Sequence, residues 1–269
     1  MLVLYIILQL SSSCIVENSS LKPDLREVKT YVTYYGEGDR LKELALFDMV
    51  IIDNDDYTAE EVKYLKTRGV IVLSYQSLGT AENWHWYWGM IKKKWLLAPL
   101  KEWEGEWYIN ACCKGWRSLI IDHILPKIVE KGFDGFLFDN IDVIEEYPEM
   151  TECIVELIKD IRDIYPNKII VLNNPLSIIE EVYMYIDGIM QEDVFLTYNW
   201  DKNNYVTIPF NRSNNLVEKL KFWSGKGLKT FILDYTDTEI LAKYYYLKAK
   251  KYGFVYYACN IMLDKICKW

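Results

Sequence analysis

Short apolar runs alternate with amphipathic segments along the chain from about residue 28 onward, and this alternation predicts eight β-strands separated by helices. Most runs are nearly continuous Val, Ile, Leu, Phe and Tyr, as expected for parallel strands that are buried on both faces. The predicted strands are residues 30–35, 49–53, 70–75, 133–139, 168–173, 188–192, 230–234 and 254–259. A β-α unit that repeats about eight times predicts an α/β fold, a single parallel (β/α)8 TIM barrel over residues 28–269.

Helix signals lie between these strands. Thr58 and Glu61 form the pair of a capping box, and the helix that they begin is expected to end at Gly69. Residues 115–132 have apolar positions at helical spacing, and Pro126 predicts a kink within them. An open doubly wound sheet is the rival architecture, but no Gly-x-Gly-x-x-Gly motif follows the first strand.

The N-terminal segment, residues 1–20, begins with an apolar run from Leu2 to Leu10 that is followed by Ser11, Ser12 and Ser13. This order is typical of a signal segment, although no basic residue precedes the run. We therefore expect a secreted or cell-surface protein, or a cytoplasmic one if this segment is instead part of the fold. The run is too short to span a bilayer as a helix, so no stable membrane span is expected.

The net charge and the spacing of the cysteines argue against nucleic-acid binding and zinc binding. The net charge is −8, and no run of Lys and Arg is longer than three residues, which argues against nucleic acid as a partner. Six scattered cysteines and two histidines form no CxxC or HxxxH pattern, so we expect no cofactor and no zinc. Most of the cysteines are expected to be reduced thiols in the core of a monomer.

The predicted strand ends carry polar side chains, and the ends of barrel strands are where catalytic groups lie. A buried ionised carboxylate is costly unless it is paired, hydrogen-bonded or engaged with a ligand. Carboxylates, amides and tyrosines without lysine or histidine suit hydrogen bonding to the hydroxyl and amino groups of a sugar. The candidates are Asp53, Tyr75, Asp139, Asn140, Asp142, Asn173, Glu192, Asp234 and Tyr235.

A tryptophan-rich insertion follows the third predicted strand, and seven of the ten tryptophans lie between Trp84 and Trp116. Aromatic rings at the barrel mouth would stack on sugar rings and attract a protonated amino group, which suggests an extended groove. The alternative is that several of these rings cover a hydrophobic lid.

Five motifs occur in barrel order: residues 47–82, Trp107, "GFDGFLFDNIDV", "IDGIMQED" and "FILDYT". Together they resemble glycoside hydrolase family 114, whose described activity is endo-α-1,4-polygalactosaminidase. The resemblance implies a (β/α)8 hydrolase of galactosamine-rich polysaccharide, with a strand 4 Asp and a strand 6 Glu as the catalytic pair. By matching motif these are Asp139 and Glu192. The chain departs from the pattern at Asn173-Asn174-Pro175, where an Asn followed by Gly is expected.

Glycoside cleavage uses one carboxylic acid to protonate the leaving oxygen and one carboxylate as nucleophile or base. We assign Glu192 as the acid and Asp139 as nucleophile or base; the reverse assignment stays open, as does retention or inversion. The expected substrate-binding residues are Asp53, Tyr75, Trp107, Asn140, Asp142, Asn173, Asp234 and Tyr235.

Two other functions remain open at this stage. One is a barrel that binds the polysaccharide without cleaving it. The other is a metal-dependent hydrolase in which residues 53–56 and 139–142 supply oxygen ligands for Mg²⁺ or Ca²⁺.

Overall fold

The structure is a computed structural model, and it describes residues 22–36 and 40–268. The predicted signal segment, residues 1–20, therefore lies outside the described residues. The helices are α1 (Leu41–Leu44), α2 (Ala59–Lys66), α3 (Lys114–Leu119), α4 (Leu125–Glu130), α5 (Val143–Glu146), α6 (Thr151–Ile164), α7 (Ile179–Val182), α8 (Phe210–Gly225) and α9 (Glu239–Lys251). The strands are β1 (Tyr31–Tyr34), β2 (Met49–Asp53), β3 (Ile71–Ser77), β4 (Thr80–Glu82), β5 (Leu96–Pro99), β6 (Glu106–Ile109), β7 (Gly135–Asp139), β8 (Ile169–Asn173), β9 (Gly188–Glu192), β10 (Leu196–Asn199), β11 (Asn204–Thr207), β12 (Lys229–Tyr235) and β13 (Val255–Cys259).

Eight strands form one parallel sheet in the order β1-β2-β3-β7-β8-β9-β12-β13. The sheet curves into a nearly closed barrel, and the Tyr31 ring of β1 lies 5.8 Å from the Tyr257 ring of β13. The predicted TIM-barrel architecture is confirmed, and each strand begins and ends within two residues of its predicted bounds. The barrel brings eight carboxyl-terminal strand ends to one face.

The barrel strands are buried on both sides, as their continuous apolar sequences require. All five residues of β8 are buried between the barrel interior and the surrounding helices. Gly135 begins β7 because a Cβ there would lie 2.1 Å from the Ile169 carbonyl oxygen of β8. This close approach fixes the spacing of the two strands whose ends carry Asp139 and Asn173.

The local helix signals are also found in the structure. Thr58 and Glu61 form the predicted capping box of α2, and Gly69 after the helix has a φ of +82°. The predicted kink is a π-helical turn, Ile120–Ile124, directly before Pro126 in α4. None of the described helices is both long and apolar enough to cross a membrane.

The insertion between β3 and α3 contains a small antiparallel sheet in the order β4-β6-β5, which the sequence did not predict. A second addition, the β10–β11 hairpin, follows β9. Both additions extend from carboxyl-terminal strand ends, and they meet where the Trp103 ring lies 5.4 Å from the Trp200 ring. Trp95 and Trp116 are buried, whereas Trp84 is 57% exposed. The tryptophans therefore divide between a packed insertion and an exposed surface.

The expectation that most of the cysteines are reduced thiols in the core is wrong. Cys112 is disulfide-bonded to Cys153, and Cys259 is disulfide-bonded to Cys267, while Cys113 is free. The first bond links the end of the insertion to α6. Spacing alone could not indicate it, because the insertion and α6 become neighbours only after the chain has folded.

Candidate active site

Three consecutive strand ends of the barrel form the centre of the site. Asp139 ends β7, Asn173 ends β8 and Glu192 ends β9. Asn173 Nδ2 donates one hydrogen bond of 2.7 Å to Asp139 Oδ1 and another of 2.8 Å to Glu192 Oε1. Since one nitrogen bonds to both oxygens, these oxygens are at most about 5.5 Å apart. The two carboxylates can therefore act on one bond between them.

The residue after each of these strand ends has a left-handed backbone. Asn140, Asn174 and Asp193 have φ angles of 54°, 49° and 55°. Asn and Asp tolerate this conformation better than other side chains, which makes the turns possible without glycine. Asn174 thus adopts the conformation for which the family pattern uses Gly, and its Oδ1 accepts a hydrogen bond from the Glu192 N–H at 3.0 Å.

Burial sets the electrostatics of the pair. Desolvation raises the pKa of Glu192 well above its usual range, and the charges of Asp139 and Asp193 add to this effect. Desolvation also raises the pKa of Asp139. Hydrogen bonds oppose the shift in both groups, from Asn173 and the Asn140 N–H at Asp139 and from Asn173 and Tyr235 at Glu192. The arrangement therefore favours the proton on Glu192 and the negative charge on Asp139.

Tyr75 and Asn140, both predicted to bind substrate, contact acidic side chains of the insertion. The Tyr75 hydroxyl donates to Glu82 Oε1 at 2.7 Å, and Asn140 Nδ2 donates to Glu106 Oε1 at 3.0 Å. Glu82 and Glu106 are 2% and 6% exposed, respectively. The insertion thus supplies buried carboxylates to the barrel mouth.

His85 binds the acidic segment after β2. Its Nδ1 lies 2.8 Å from Asp55 Oδ2, and its Nε2 lies 2.6 Å from Glu82 Oε2 and 3.7 Å from Asp53 Oδ2. Hydrogen bonds and negative charges from these acids outweigh desolvation and raise the pKa of His85 to about 11. Asp53, Asp55 and His85 each place one ligand atom within 4.8 Å of the others. They could hold a cation only if His85 gave up its proton, because an imidazolium has no lone pair.

Asp234, predicted to bind substrate, is fully buried. Its Oδ1 accepts hydrogen bonds from the backbone N–H groups of Val194 and Phe195 at 2.9 and 3.1 Å. The carboxylate therefore holds the loop after β9, and its contact with substrate stays a prediction. The neighbouring Tyr235 hydrogen-bonds to Glu192 and belongs to the centre of the site.

A groove of about 600 Å³ opens beside Glu192. Asp142, another predicted substrate-binding residue, lies in its wall, and burial raises the pKa of Asp142 to about 6. Trp107 is half-buried in β6, opposite Ala81 and Pro99. The groove is lined by Asp142, Glu145, Asn174, Leu176, Ser177, Gln191, Glu192, Asp193, Arg212, Asn215, Leu216 and Lys219.

Three residues around the site were missed from the sequence: Glu82, His85 and Glu106 of the insertion. They do not lie at barrel strand ends, where polar groups of the site were expected. The sequence gives no signal that distinguishes them, because other charged residues, such as Lys93, Glu102 and Glu104, occur in the same segment.

Comparison with known proteins agrees with the geometry. Glycoside-hydrolase family GH114 matches residues 16–269. An uncharacterized protein of Thermotoga maritima is 24% identical over 81% of this chain and 76% of its own length. The glycoside hydrolase domain of PelA from Pseudomonas aeruginosa has a TM-score of 0.80 at 16% identity, over 89% of this chain and 97% of that domain.

Aspergillus fumigatus Ega3, solved in complex with galactosamine, has a TM-score of 0.72 at 18% identity, over 92% of this chain and 98% of that one. At these identities the two structures show a common barrel fold. The family match spans nearly the whole sequence, including both strand ends that carry the central carboxylates. The chain therefore belongs to glycoside-hydrolase family GH114.

Proposed function

We propose that this glycoside hydrolase cleaves an amino-sugar polysaccharide rich in α-1,4-linked galactosamine, with Asp139 and Glu192 as its catalytic pair. The observation that carries the proposal is the single amide nitrogen of Asn173 that donates to both carboxylates. Two carboxylates at a barrel mouth, close enough to act on one bond, are the groups that glycoside cleavage needs.

The environments of the two groups support different roles. Glu192 is the general acid, because burial and neighbouring negative charge favour its protonated form. Asp139 is the nucleophile, because two N–H donors stabilise its charge. Protonation of the glycosidic oxygen by Glu192 accompanies attack of Asp139 on the anomeric carbon, and Glu192 then activates water to release the sugar.

The separation of the pair supports cleavage with retention of configuration. Retaining enzymes place their carboxyl groups roughly 5 to 5.5 Å apart, whereas inverting enzymes leave roughly 6.5 to 9.5 Å for a water molecule. The shared bond from Asn173 holds the nearest oxygens of Asp139 and Glu192 within about 5.5 Å of each other.

The groove beside Glu192 supports a cationic substrate. Asp142, Glu145 and Asp193 line it, and carboxylates of this kind attract protonated amino sugars, although Arg212 and Lys219 lie at the same groove. Ega3, which shares the fold, was solved with galactosamine. Galactosamine-rich polymer is therefore the substrate to test first.

We also propose that the protein works outside the cytoplasm, as a secreted or cell-surface enzyme. The two disulfide bonds support this proposal, because such bonds persist in oxidising compartments. The apolar N-terminal run of the sequence is in accord with it.

The test is to incubate the wild-type protein and the variants Asp139→Asn and Glu192→Gln with partially deacetylated α-1,4-galactosamine polymer and to count new reducing ends. Asp163→Asn, an exposed position on α6, is the matched control. We expect release by the wild-type protein and the control alone. Release by all four proteins would place the active site elsewhere, and binding without release by the wild-type protein would favour the non-catalytic alternative.

A further inference from the structure

Two buried carboxylates of the insertion are paired across strands. Glu82 of β4 lies directly opposite Glu106 of β6 in the antiparallel sheet. Glu82 has a cationic partner, because its Oε2 lies 2.6 Å from His85 Nε2. No ion pair of the described residues includes Glu106, whose Oε1 accepts hydrogen bonds from Thr80 Oγ1 at 2.6 Å and from Asn140 Nδ2 at 3.0 Å. A buried carboxylate in this position is costly when it is ionised.

Asn140 connects Glu106 to the catalytic pair. Its backbone N–H donates to Asp139 Oδ1 at 2.7 Å, and its side chain points the other way, where Nδ2 lies 3.0 Å from Glu106 Oε1 and 2.9 and 3.1 Å from the hydroxyls of Thr80 and Ser77. The left-handed backbone of Asn140, with a φ of 54°, is what allows both contacts. Such a conformation persists only when its surroundings hold it in place.

The first residues of the insertion, Leu78 and Gly79, contact the turn at Asp139 and Asn140. The Leu78 N–H donates to the Asp139 carbonyl oxygen at 3.0 Å. A Cβ on Gly79 would lie 2.0 Å from the Asn140 carbonyl oxygen, so only glycine allows this approach. The insertion therefore holds Asn140 by its backbone at one point and by its side chain at another.

We propose that Glu106 is a positioning residue for Asp139, which acts through Asn140 as an uncharged carboxylic acid. The proposal rests on the assignment of Asp139 to the catalytic pair. It gives the insertion a part in catalysis beyond covering the barrel mouth, because the orientation of an N–H that stabilises Asp139 depends on a side chain of β6.

The surroundings of Glu106 agree with the uncharged form. Desolvation is the largest cause that raises the pKa of Glu106 to about 8, and the negative charges of Glu82 and Asp139 add smaller effects in the same direction. The titratable groups that face it are Glu82 from β4, Asp139 from β7 and Tyr75 from β3, and His85 neutralises Glu82 from its other side. Above about pH 8, Glu106 is ionised, and its negative charge adds to those of Glu82 and Asp139. The repulsion strains the turn at Asn140.

The activity test compares Glu106→Ala and Glu106→Gln with the control Glu104→Gln, an exposed position of the same segment. We expect Glu106→Ala to lose roughly 30-fold or more in kcat at pH 6, because Asn140 loses its carboxyl acceptor and keeps only hydroxyl acceptors, while KM changes little. Glutamine keeps an uncharged acceptor, so Glu106→Gln rescues most of this loss and keeps its activity to a higher pH than the wild-type protein. Equal losses in Glu106→Gln and Glu106→Ala, or an unchanged kcat in Glu106→Ala, would overturn the proposal.

A second measurement needs no substrate and separates this proposal from the proposed function. The pKa of Glu106 is raised from 4.5 to about 8, so its contribution to stability is fully present below pH 4.5 and is lost as the pH rises to about 8. The melting temperature of Glu106→Gln, relative to that of the wild-type protein, is expected to rise by several degrees between pH 5 and pH 9. A constant difference contradicts an uncharged Glu106, whatever the polymer assay shows.

Discussion

Asn173 donates a hydrogen bond of 2.7 Å to Asp139 from the neighbouring strand of the barrel, and the same nitrogen reaches Glu192. Removal of this donor in Asn173→Ala leaves two buried carboxylates facing each other without a shared N–H group. We expect kcat for polymer cleavage to fall by about 100-fold, the size of effect that follows loss of one buried donor at an active site. Asn214→Ala, at an exposed position of α8, is the control, and an unchanged kcat in Asn173→Ala would contradict the assigned role.

The rate of cleavage should follow a bell-shaped pH profile. The proposed mechanism needs Asp139 ionised and Glu192 protonated, so we expect activity to fall at low pH as Asp139 gains a proton and at high pH as Glu192 loses one. Because burial raises the pKa of both groups, both limbs lie above the range of ordinary carboxyl groups. A kcat/KM profile measured from pH 3 to pH 10 checks this; an optimum near pH 3 would exclude Glu192 as the acid.

His85 should stabilise the fold through its charge. Loss of the cation in His85→Gln leaves Asp53, Asp55 and Glu82 close together and is expected to reduce the free energy of unfolding by about 3 to 5 kcal/mol at pH 6. The pKa of His85 is raised from 6.5 to about 11, so the loss is largest below pH 6.5 and shrinks as the pH rises to 11. Urea unfolding at several pH values measures it.

The other histidine provides the control for that experiment. His123 is exposed, so the unfolding free energy of His123→Gln at pH 6 should be close to that of the wild-type protein. A difference between His85→Gln and the wild-type protein that grows with pH would mean that His85 is neutral in the folded chain.

The Cys112–Cys153 bond should stabilise the protein more than the Cys259–Cys267 bond. Their sequence separations are 41 and 8, and loop-closure entropy gives contributions of about 4 and 2.5 kcal/mol, respectively. Unfolding of the two double Cys→Ser variants in urea tests this order, with Cys113→Ser as the control. The reverse order would show that the insertion does not depend on its link to α6.

Binding of a cationic polymer should weaken as salt screens the groove. With the inactive Glu192→Gln variant, we expect Kd for the deacetylated polymer to rise roughly tenfold between low and 0.5 M salt. Asp142→Asn, in the groove wall, should reduce this dependence. Fully acetylated polymer is uncharged and serves as the reference; equal salt dependence for both polymers would exclude an electrostatic role.

The barrel could be predicted because its signals are local. Each strand is a short apolar run, and burial on both faces makes such runs continuous in the sequence. The positions of Asp139, Asn173 and Glu192 at one face follow from parallel strand order alone. The shared hydrogen bond does not, since it depends on side-chain directions that only packing sets.

The insertion could not be predicted in this way. Its strands have three or four residues, too few to display a period, and the contact of Glu106 with Asn140 joins positions that are 34 residues apart. Asp234 illustrates a related limit: its strand-end position follows from the sequence, whereas the hydrogen bonds of its carboxylate to the backbone of Val194 and Phe195 depend on the loop after β9. Strand ends indicate where polar groups lie, and the surrounding loops decide which of them reach solvent.

The strand that carries Asn173 lies between the strands that carry Asp139 and Glu192, and this order has a consequence for stereochemistry. Neighbouring strands are about 4.8 Å apart, so the main chains that carry the two acids are roughly 10 Å apart, and their side chains must lean toward the middle strand to close the gap. Adding or removing one methylene group in either acid changes the reach of its side chain by more than 1 Å, because a carbon–carbon bond is about 1.5 Å long. In the proposed catalytic pair, side-chain length therefore helps to set the separation of the two carboxyl groups, the distance that distinguishes retaining from inverting glycosidases.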